Sequence, residues 1–497
     1  MSKPVINIVW FKRDLRLQDH FPLMQAMDAG LPVLLIYFFE PSVMQYADSD
    51  KRHHRFAEQS ITAINRTLKP YDHKIYAVHS EVIAAFEKLN NHYTIHSIFS
   101  HQETGNLVTY KRDIAVAEYC AKQNILWNEA PANGVIRRLS SRKEFTKRWL
   151  ETMNADVYTP AFSKASAVNL KQDVLTLWEH EHDKHHLFQP GGFVNAEKYL
   201  HSFLYDRKSN YNKYISKPEQ SRTSCSRISP YLAWGNLSMK QVYQAALKAI
   251  TDTGDKRNLR SFINRLHWHC HFIQKFESEC RMEFENLNKG FDTIRTQINP
   301  QLVTAWENGT TGYPLVDACM RCVKQTGYLN FRMRSMVVSF LTHHLWQPWQ
   351  AGVHFLARNF LDYEPGIHYA QFQMQAGTMG VNTIRIYNPV KQSKDHDPEG
   401  VFIKRWIPEL EGVPKEHIHT PWQMTTAEQL MYKVELGKQY PLPVVDIQET
   451  GKYARAELWR IKASAAVKKE NKRILKIHTK RKTEKEQTLQ LNFDESN

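Results

Sequence analysis

Five short apolar runs mark the first 130 positions: VINIVWF (5–11), LPVLLIYFF (31–39), KIYAVHS (74–80), TIHSIFSH (94–101) and NILWNEA (124–130). Amphipathic stretches separate them. The runs are nearly continuous instead of alternating, which predicts strands covered on both faces. Their βαβ rhythm therefore predicts a parallel, doubly wound sheet over residues 1–130. Ligands of such sheets sit beyond the C-terminal strand ends. No GxGxxG follows the first run, so any ligand there is held by other means than a dinucleotide fingerprint.

The periodicity weakens over 131–195, where the His-rich EHEHDKHH (179–186) and Gln189-Pro-Gly-Gly predict a linker across the surface. From 196 to 465 strand signals nearly vanish. In TGYPLVDACMRCV, Val316, Met320 and Val323 recur at i, i+4, i+7, and a mostly α-helical second domain is expected. Past 466 the charged KKENKRILKIHTKRKTEKEQ and acidic NFDESN predict a frayed helix or tail.

A chain of 497 residues with 42% hydrophobic and 12% aromatic residues has material for two cores. Its formal net charge of +15 favours a polyanionic partner. Six Cys spread over so long a chain (Cys120, Cys225, Cys270, Cys280, Cys319, Cys322) do not resemble a disulfide framework, and a reducing, cytoplasmic setting is expected. The first apolar run is too short for a signal peptide, and no stretch reaches the roughly 18 apolar residues of a membrane span.

Four segments carry a family likeness. CSRISPYLAWGNLS (225–238) resembles the photolyase/cryptochrome pattern TSxLSPYLxxGxLS, and AWENGTTGYPLVDACMR (305–321) resembles W-x-x-G-x-T-G-x-P-L-V-D-A-x-M-R. IRIYNPVKQSKDHDPEGVFIKRWIPEL (384–410) and WFKRDLRLQDH (10–20) match two further signatures, so the likeness runs in order from residue 5 to about 425. It implies an N-terminal antenna-type domain, a helical domain holding FAD, and UV-damaged DNA as partner to a monomeric protein.

Carried over by position, the resemblance implies that Tyr211 and Cys225, Ser226, Arg227, Ile228 and Ser229 hold the FAD phosphates, ahead of a helix opened by Pro230. Arg334 and Asp362 would form a charge pair beside the flavin ring, with Tyr363 and Glu364 in the contacting turn. His368 falls where the family usually places the Asn facing flavin N5, and there it could donate to N5 or exchange protons near neutral pH. Contacts to damaged DNA map to Arg265, Trp268, His269, Phe331, Arg332, Arg385 and Gln392, with Trp268 stacking on an extruded lesion. The activity implied is blue-light-driven splitting of cyclobutane pyrimidine dimers by electron transfer from reduced FAD.

The chain departs from that pattern near the chemistry. Arg265 replaces an acidic residue three positions before Trp268, and the flavin-proximal and surface members of the family's three-Trp chain fall at Phe372 and Thr296. Only the middle one aligns with a tryptophan, Trp349, so it, Trp346 and the Tyr residues nearby are the electron-route candidates. These changes leave a cryptochrome-type photoreceptor as the alternative. Repair of (6-4) products is disfavoured, because the His pair of animal-type enzymes falls at Phe331 and Ser335. Ser100–Asp113 occupies the region that contacts a second, light-harvesting chromophore of folate or deazaflavin type in some relatives, and its residues match no one pattern. Neither Cys319-x-x-Cys322 with Cys270 and Cys280 nor the His267/His271 pair makes a convincing metal set, and no metal is expected.

Overall fold

The computed structural model describes residues 3–139, 142–171, 174–179 and 187–478. The apolar runs form the strands β1 (Val5–Phe11), β2 (Val33–Phe39), β3 (Ile75–His79), β4 (Thr94–His101) and β5 (Leu126–Ala130). They make one all-parallel sheet in the order β3-β2-β1-β4-β5. The order reverses between β1 and β4, which opens a crevice at their C-terminal ends. Continuous apolarity has its expected cause here, since six of the seven β1 residues are buried; β5, at the edge, is only half covered.

The two faces of the sheet differ in what covers them. Ile6, Ile8, Trp10 and Ile36 pack on Phe86, Leu89 and Val116 from the Val82–His92 and Leu107–Lys122 helices. On the other face Val9, Phe11, Leu35 and Phe39 join a core that continues through Phe56 into Leu200, Tyr231, Phe262 and Leu266 of the helical region. Leu23 and Met27 of the Phe21–Asp28 helix and Ile61 and Ile64 of the Lys51–Leu68 helix belong to the same core, so the two expected cores are not separate: behind this layer the core runs on into helices far along the chain.

Residues of the expected linker form a strap held at several points. Gln274 donates to Ile136 O (2.9 Å) and accepts from Ile136 N (2.7 Å), and Trp178 stacks on Phe39 at 4.2 Å. The His-rich segment expected there lies, apart from Glu179, outside the described residues.

The helical region is centred on the Pro314–Thr326 helix, almost wholly buried as its periodicity predicted. Its lead-in explains the TGYPLVD signature. Asp317, fully buried, accepts from Thr311 N (2.8 Å), Thr311 Oγ1 (2.6 Å), Gly312 N (3.0 Å) and Tyr440 Oη (2.6 Å). Gly312 has φ +77°, and a Cβ there would lie 2.4 Å from the Leu442 carbonyl, so glycine is required. Arg321, at the end of the motif, donates two 2.8 Å bonds to Glu409.

The charged C-terminal stretch is a correction. Ala465–His478 is a helix with Val467, Ile474 and His478 buried, and Asn288 bonds its Asn471 at 2.9 Å. Two apolar residues seven apart give it a buried stripe that the surrounding charges mask. The remainder of the expected tail, from 479, lies outside the described residues.

Candidate flavin and nucleic-acid site

The Lys256–Ser278 helix packs lengthwise on the Pro365–Ala376 helix, and these two with Phe331–Ser339 beside them carry Arg265, Trp268, His269, Phe331, Arg332, Arg334 and His368 of the predicted site. Arg334 donates from one terminal nitrogen to both oxygens of Asp362 at 2.9 and 2.8 Å. Its guanidinium also lies 3.9 Å over the Phe360 ring, and it donates to Leu329 O at 2.8 Å. The pair is thus fixed from three sides, a preorganised charge arrangement at the turn that carries Tyr363 and Glu364. Glu364, 8% exposed, faces His269 at 3.2 Å across the two helices.

The segment 225–229 leads into a helix of only five residues, Ser229–Ala233, too short for a sizeable dipole, which corrects the expected helix-start anchor. Arginine side chains supply the positive field instead. Arg207, which the sequence reading missed, donates to the carbonyls of Thr223 and Cys225 and fixes this turn from outside. Arg227 adopts φ +59°, stacks 3.7 Å over Tyr328 and exchanges two 2.8 Å bonds with Gln189. No sequence signal marks Arg207 or Gln189, because both act through backbone carbonyls or a partner distant in sequence.

Two buried polar atoms in this turn, Ser224 Oγ and Arg227 Nε, have no hydrogen-bond partner. Orphaned donors in a turn rich in guanidinium groups fit the phosphates of a dinucleotide cofactor. Tyr211 is buried beside them, and burial raises its phenol well above the ordinary value. Ser226 and Ser229 are partly exposed and Ile228 is buried.

His368 does not have the role expected of it. Its Nε2 lies 2.8 Å from Val353 O, so the ring proton is donated there, and only Nδ1 is left, as an acceptor. Burial among Phe360, Tyr363 and Phe372 pushes its pKa down to about 3. The ring stays neutral near pH 7 and exchanges no proton there. Trp349 is buried and donates to Asn286 Oδ1 at 2.8 Å. Trp346 lies 4.8 Å under Arg295 and edge-on to Tyr453 at 5.0 Å.

Of the residues expected at nucleic acid, Trp268, Phe331, Arg265 and Arg385 are open, whereas His269 faces Glu364. Trp268 is 39% and Phe331 45% exposed, large aromatics that a soluble surface ordinarily buries. Arg265 and Arg385 are exposed. Arg332 reaches Tyr387 Oη at 3.3 Å but leaves its buried Nε unpartnered, as Gln392 leaves its Oε1.

Beyond the C-terminal ends of β1 and β2 lies an open cleft lined by Phe39, Glu40, Asn106 and Arg112 from the sheet half and by Trp234 and Tyr363 from the helical half. Asn106 and Arg112 belong to the segment expected at a second chromophore.

Among the described residues the only grouping of metal-ligand side chains is Asp14, His20 and His101, away from the cysteines and the His267/His271 pair considered above. Leu23 N donates to His20 Nδ1 at 3.1 Å, which places the ring proton on Nε2, 3.0 Å from Asp14 Oδ2. His101 Nδ1 meets the same oxygen at 2.7 Å. Of the two rings only His101 is hydrogen-bonded to Asp14; His20 Nε2, though close, is left without a hydrogen-bond partner.

Two family models match the chain: "DNA photolyase" over residues 7–161 and "FAD binding domain of DNA photolyase" over 262–460. The chain belongs to the photolyase/cryptochrome family. Its relatives include a deoxyribodipyrimidine photo-lyase of Alkalihalophilus pseudofirmus, 29% identical over 90% of this chain and 97% of that one. They also include a cryptochrome DASH of Synechocystis, 26% identical over 90% and 96%. In solved structures the fold matches a Synechocystis cryptochrome (TM-score 0.84, 23% identity, 92% of this chain and 99% of that one). It also matches a class III photolyase of Agrobacterium tumefaciens (TM-score 0.81, 24%, 93% and 99%). The helical half of this family member is thus an FAD-binding domain. Among the described residues no helix is long and apolar enough to cross a membrane.

Proposed function

We propose that the protein uses reduced FAD and blue light to split cyclobutane pyrimidine dimers in DNA. The observation that carries this reading is the exposure of Trp268 and Phe331 in a site that also holds the unpartnered Arg332 Nε and Gln392 Oε1. Two open aromatic faces offer stacking to bases taken out of a duplex, which offsets the few kcal/mol of extrusion, a penalty smaller for damaged bases. Unpartnered polar atoms beside them are satisfied when a base edge or phosphate arrives.

FAD when bound supplies a light-driven electron donor. The chain's own residues do the rest. Ser224, Arg227 and the 225–229 turn hold the phosphates; Arg334, locked on Asp362, presents a fixed positive charge to the ring edge; the Pro365–Ala376 helix supplies an apolar wall at His368 and Phe372. His368 stays neutral, so it positions and excludes water instead of moving protons. The cleft between the halves is the place for a second chromophore, in contact with both through Arg112 and Tyr363.

Blue light on the reduced, purified protein with a dimer-bearing oligonucleotide should restore intact pyrimidines. No restoration, together with weak, lesion-independent and fully salt-sensitive DNA binding, would replace this reading with a blue-light receptor, a role supported by relatives named cryptochrome and by Phe372 in place of the usual tryptophan. A (6-4) substrate in the same assay decides the remaining lesion class.

A further inference from the structure

Some cations with little exposure face a carboxylate: Lys12 faces Asp113 at 3.0 Å, Arg112 faces Glu40 at 2.7 Å, and Lys240 faces Asp19 at 2.8 Å. Others, such as Arg227 and Arg295, meet neutral acceptors and rings, and Arg142 and Lys275 are two more that face no carboxylate among the described residues. Arg142, 3% exposed, uses its terminal nitrogens on neutral acceptors, His271 Nδ1 at 3.2 Å and His271 O at 3.3 Å, while its buried Nε has no partner. Lys275, 7% exposed, makes no hydrogen bond or ion pair among the described residues, and its Nζ lies 5.9 Å over the Phe272 ring. The nearby carboxylate, Glu279, is already shared by Arg473, Arg281 (3.4 Å) and His478 (3.4 Å). Burial, reinforced by Arg142, brings Lys275 down to about 8, and burial alone brings Arg142 down to about 10. Leaving two such charges together without an anion is expensive.

Their placement gives the pair a meaning. Trp268, His271, Phe272 and Lys275 recur at i, i+3, i+4, i+7, one stripe of the Lys256–Ser278 helix, with the exposed Trp268 at one end and Lys275 about 10 Å along the axis. The Trp268 ring stands 5.2 Å from His271 and 5.9 Å from Phe272. Because His271 Nδ1 accepts from Arg142, the neutral ring carries its proton on Nε2, a further donor.

We propose that Arg142, Lys275 and His271 Nε2–H form a site for one phosphate group, and that this phosphate belongs to the backbone of the nucleic acid whose bases stack at Trp268. The second half rests on the nucleic-acid reading above; the first does not. Bound there, the phosphate neutralises two cations that no side chain among the described residues neutralises, and it fixes the strand relative to the stacking ring.

Two measurements on the full-length, FAD-loaded protein test this. In the first, the thermal midpoint is followed in potassium phosphate and in potassium chloride of equal ionic strength. The wild type should gain in phosphate, and Arg142→Gln and Lys275→Met should lose that gain. Lys275→Met removes an uncompensated buried charge, so its midpoint in chloride should equal or exceed that of the wild type, which separates loss of a site from misfolding. In the second, log Kd for a dimer-bearing oligonucleotide is followed against log salt. Either variant should lower the slope by about one, and Lys122→Met, on the far face of the sheet, should not. Loss of the phosphate gain with an unchanged slope would mean a site for free phosphate and overturn its assignment to nucleic acid. A wild type that binds no nucleic acid would sink the reading of function, and the first measurement would still decide the site. No phosphate-specific gain in the wild type overturns the site itself.

Discussion

Tyr440 donates its hydroxyl to Asp317 Oδ2 at 2.6 Å, tying a loop near the end of the helical region to the family's signature motif 123 residues earlier. With Thr311 and Gly312 it directs four donors at one carboxylate, and burial still raises that group to about 6. Asp317→Ala should therefore lower stability by on the order of 4 kcal/mol, since it strands several buried donors, and Tyr440→Phe by about 2 kcal/mol. Urea unfolding of the two variants measures both. Equal midpoints for variants and wild type would refute a structural role for the motif.

Arg334 holds Asp362 through a single nitrogen while its face rests on Phe360. Arg334→Ala should weaken retention of FAD about tenfold or more, and Arg334→Lys should restore little of it, because an ammonium cannot keep the stacked, planar geometry. Flavin content after dialysis, read from the visible spectrum, reports the effect. Full retention by the lysine variant would show that charge alone suffices.

For lesion recognition the expectation centres on Trp268. Trp268→Ala should weaken binding of a dimer-bearing oligonucleotide by about 1–3 kcal/mol, roughly 5- to 150-fold, and leave binding of undamaged DNA nearly unchanged. Equal losses on both substrates, measured by competition titration, would remove the stacking role.

His368 gives a pH test. Its folded pKa, about 3, lies below the ordinary 6.5, so its contribution is fully present above pH 6.5 and is lost as pH falls toward 3. His368→Gln should be less stable than the wild type at pH 7.5. The gap should then narrow by about 1.4 kcal/mol per pH unit below 6.5. A gap that stays constant from pH 7.5 to pH 4 would mean the histidine is not held neutral in the folded state.

The strands and the Pro314–Thr326 helix were legible because burial on all sides leaves apolar runs and a clean 3.6 period. The Ala465–His478 helix was not, since Val467 and Ile474 are outnumbered by lysines that stay in water. Arg334 and Asp362, 28 residues apart, could be joined only through the family likeness, as no local pattern pairs them. Sequence could not foretell that Val353 O would take the proton of His368, or that Arg142 would meet His271, because backbone carbonyls and long-range neighbours leave no mark along the chain.

One face of the N-terminal sheet is finished by Leu200, Tyr231, Phe262 and Leu266. Residues 1–130 made alone would keep Val9, Phe11, Leu35 and Phe39 under Leu23, Met27, Ile61 and Ile64, but would bare the apolar side of that layer where Phe56 packs on Tyr231, a surface that aggregates. A nascent chain can therefore close that layer only after the Lys256–Ser278 helix, with Phe262 and Leu266, has been synthesised.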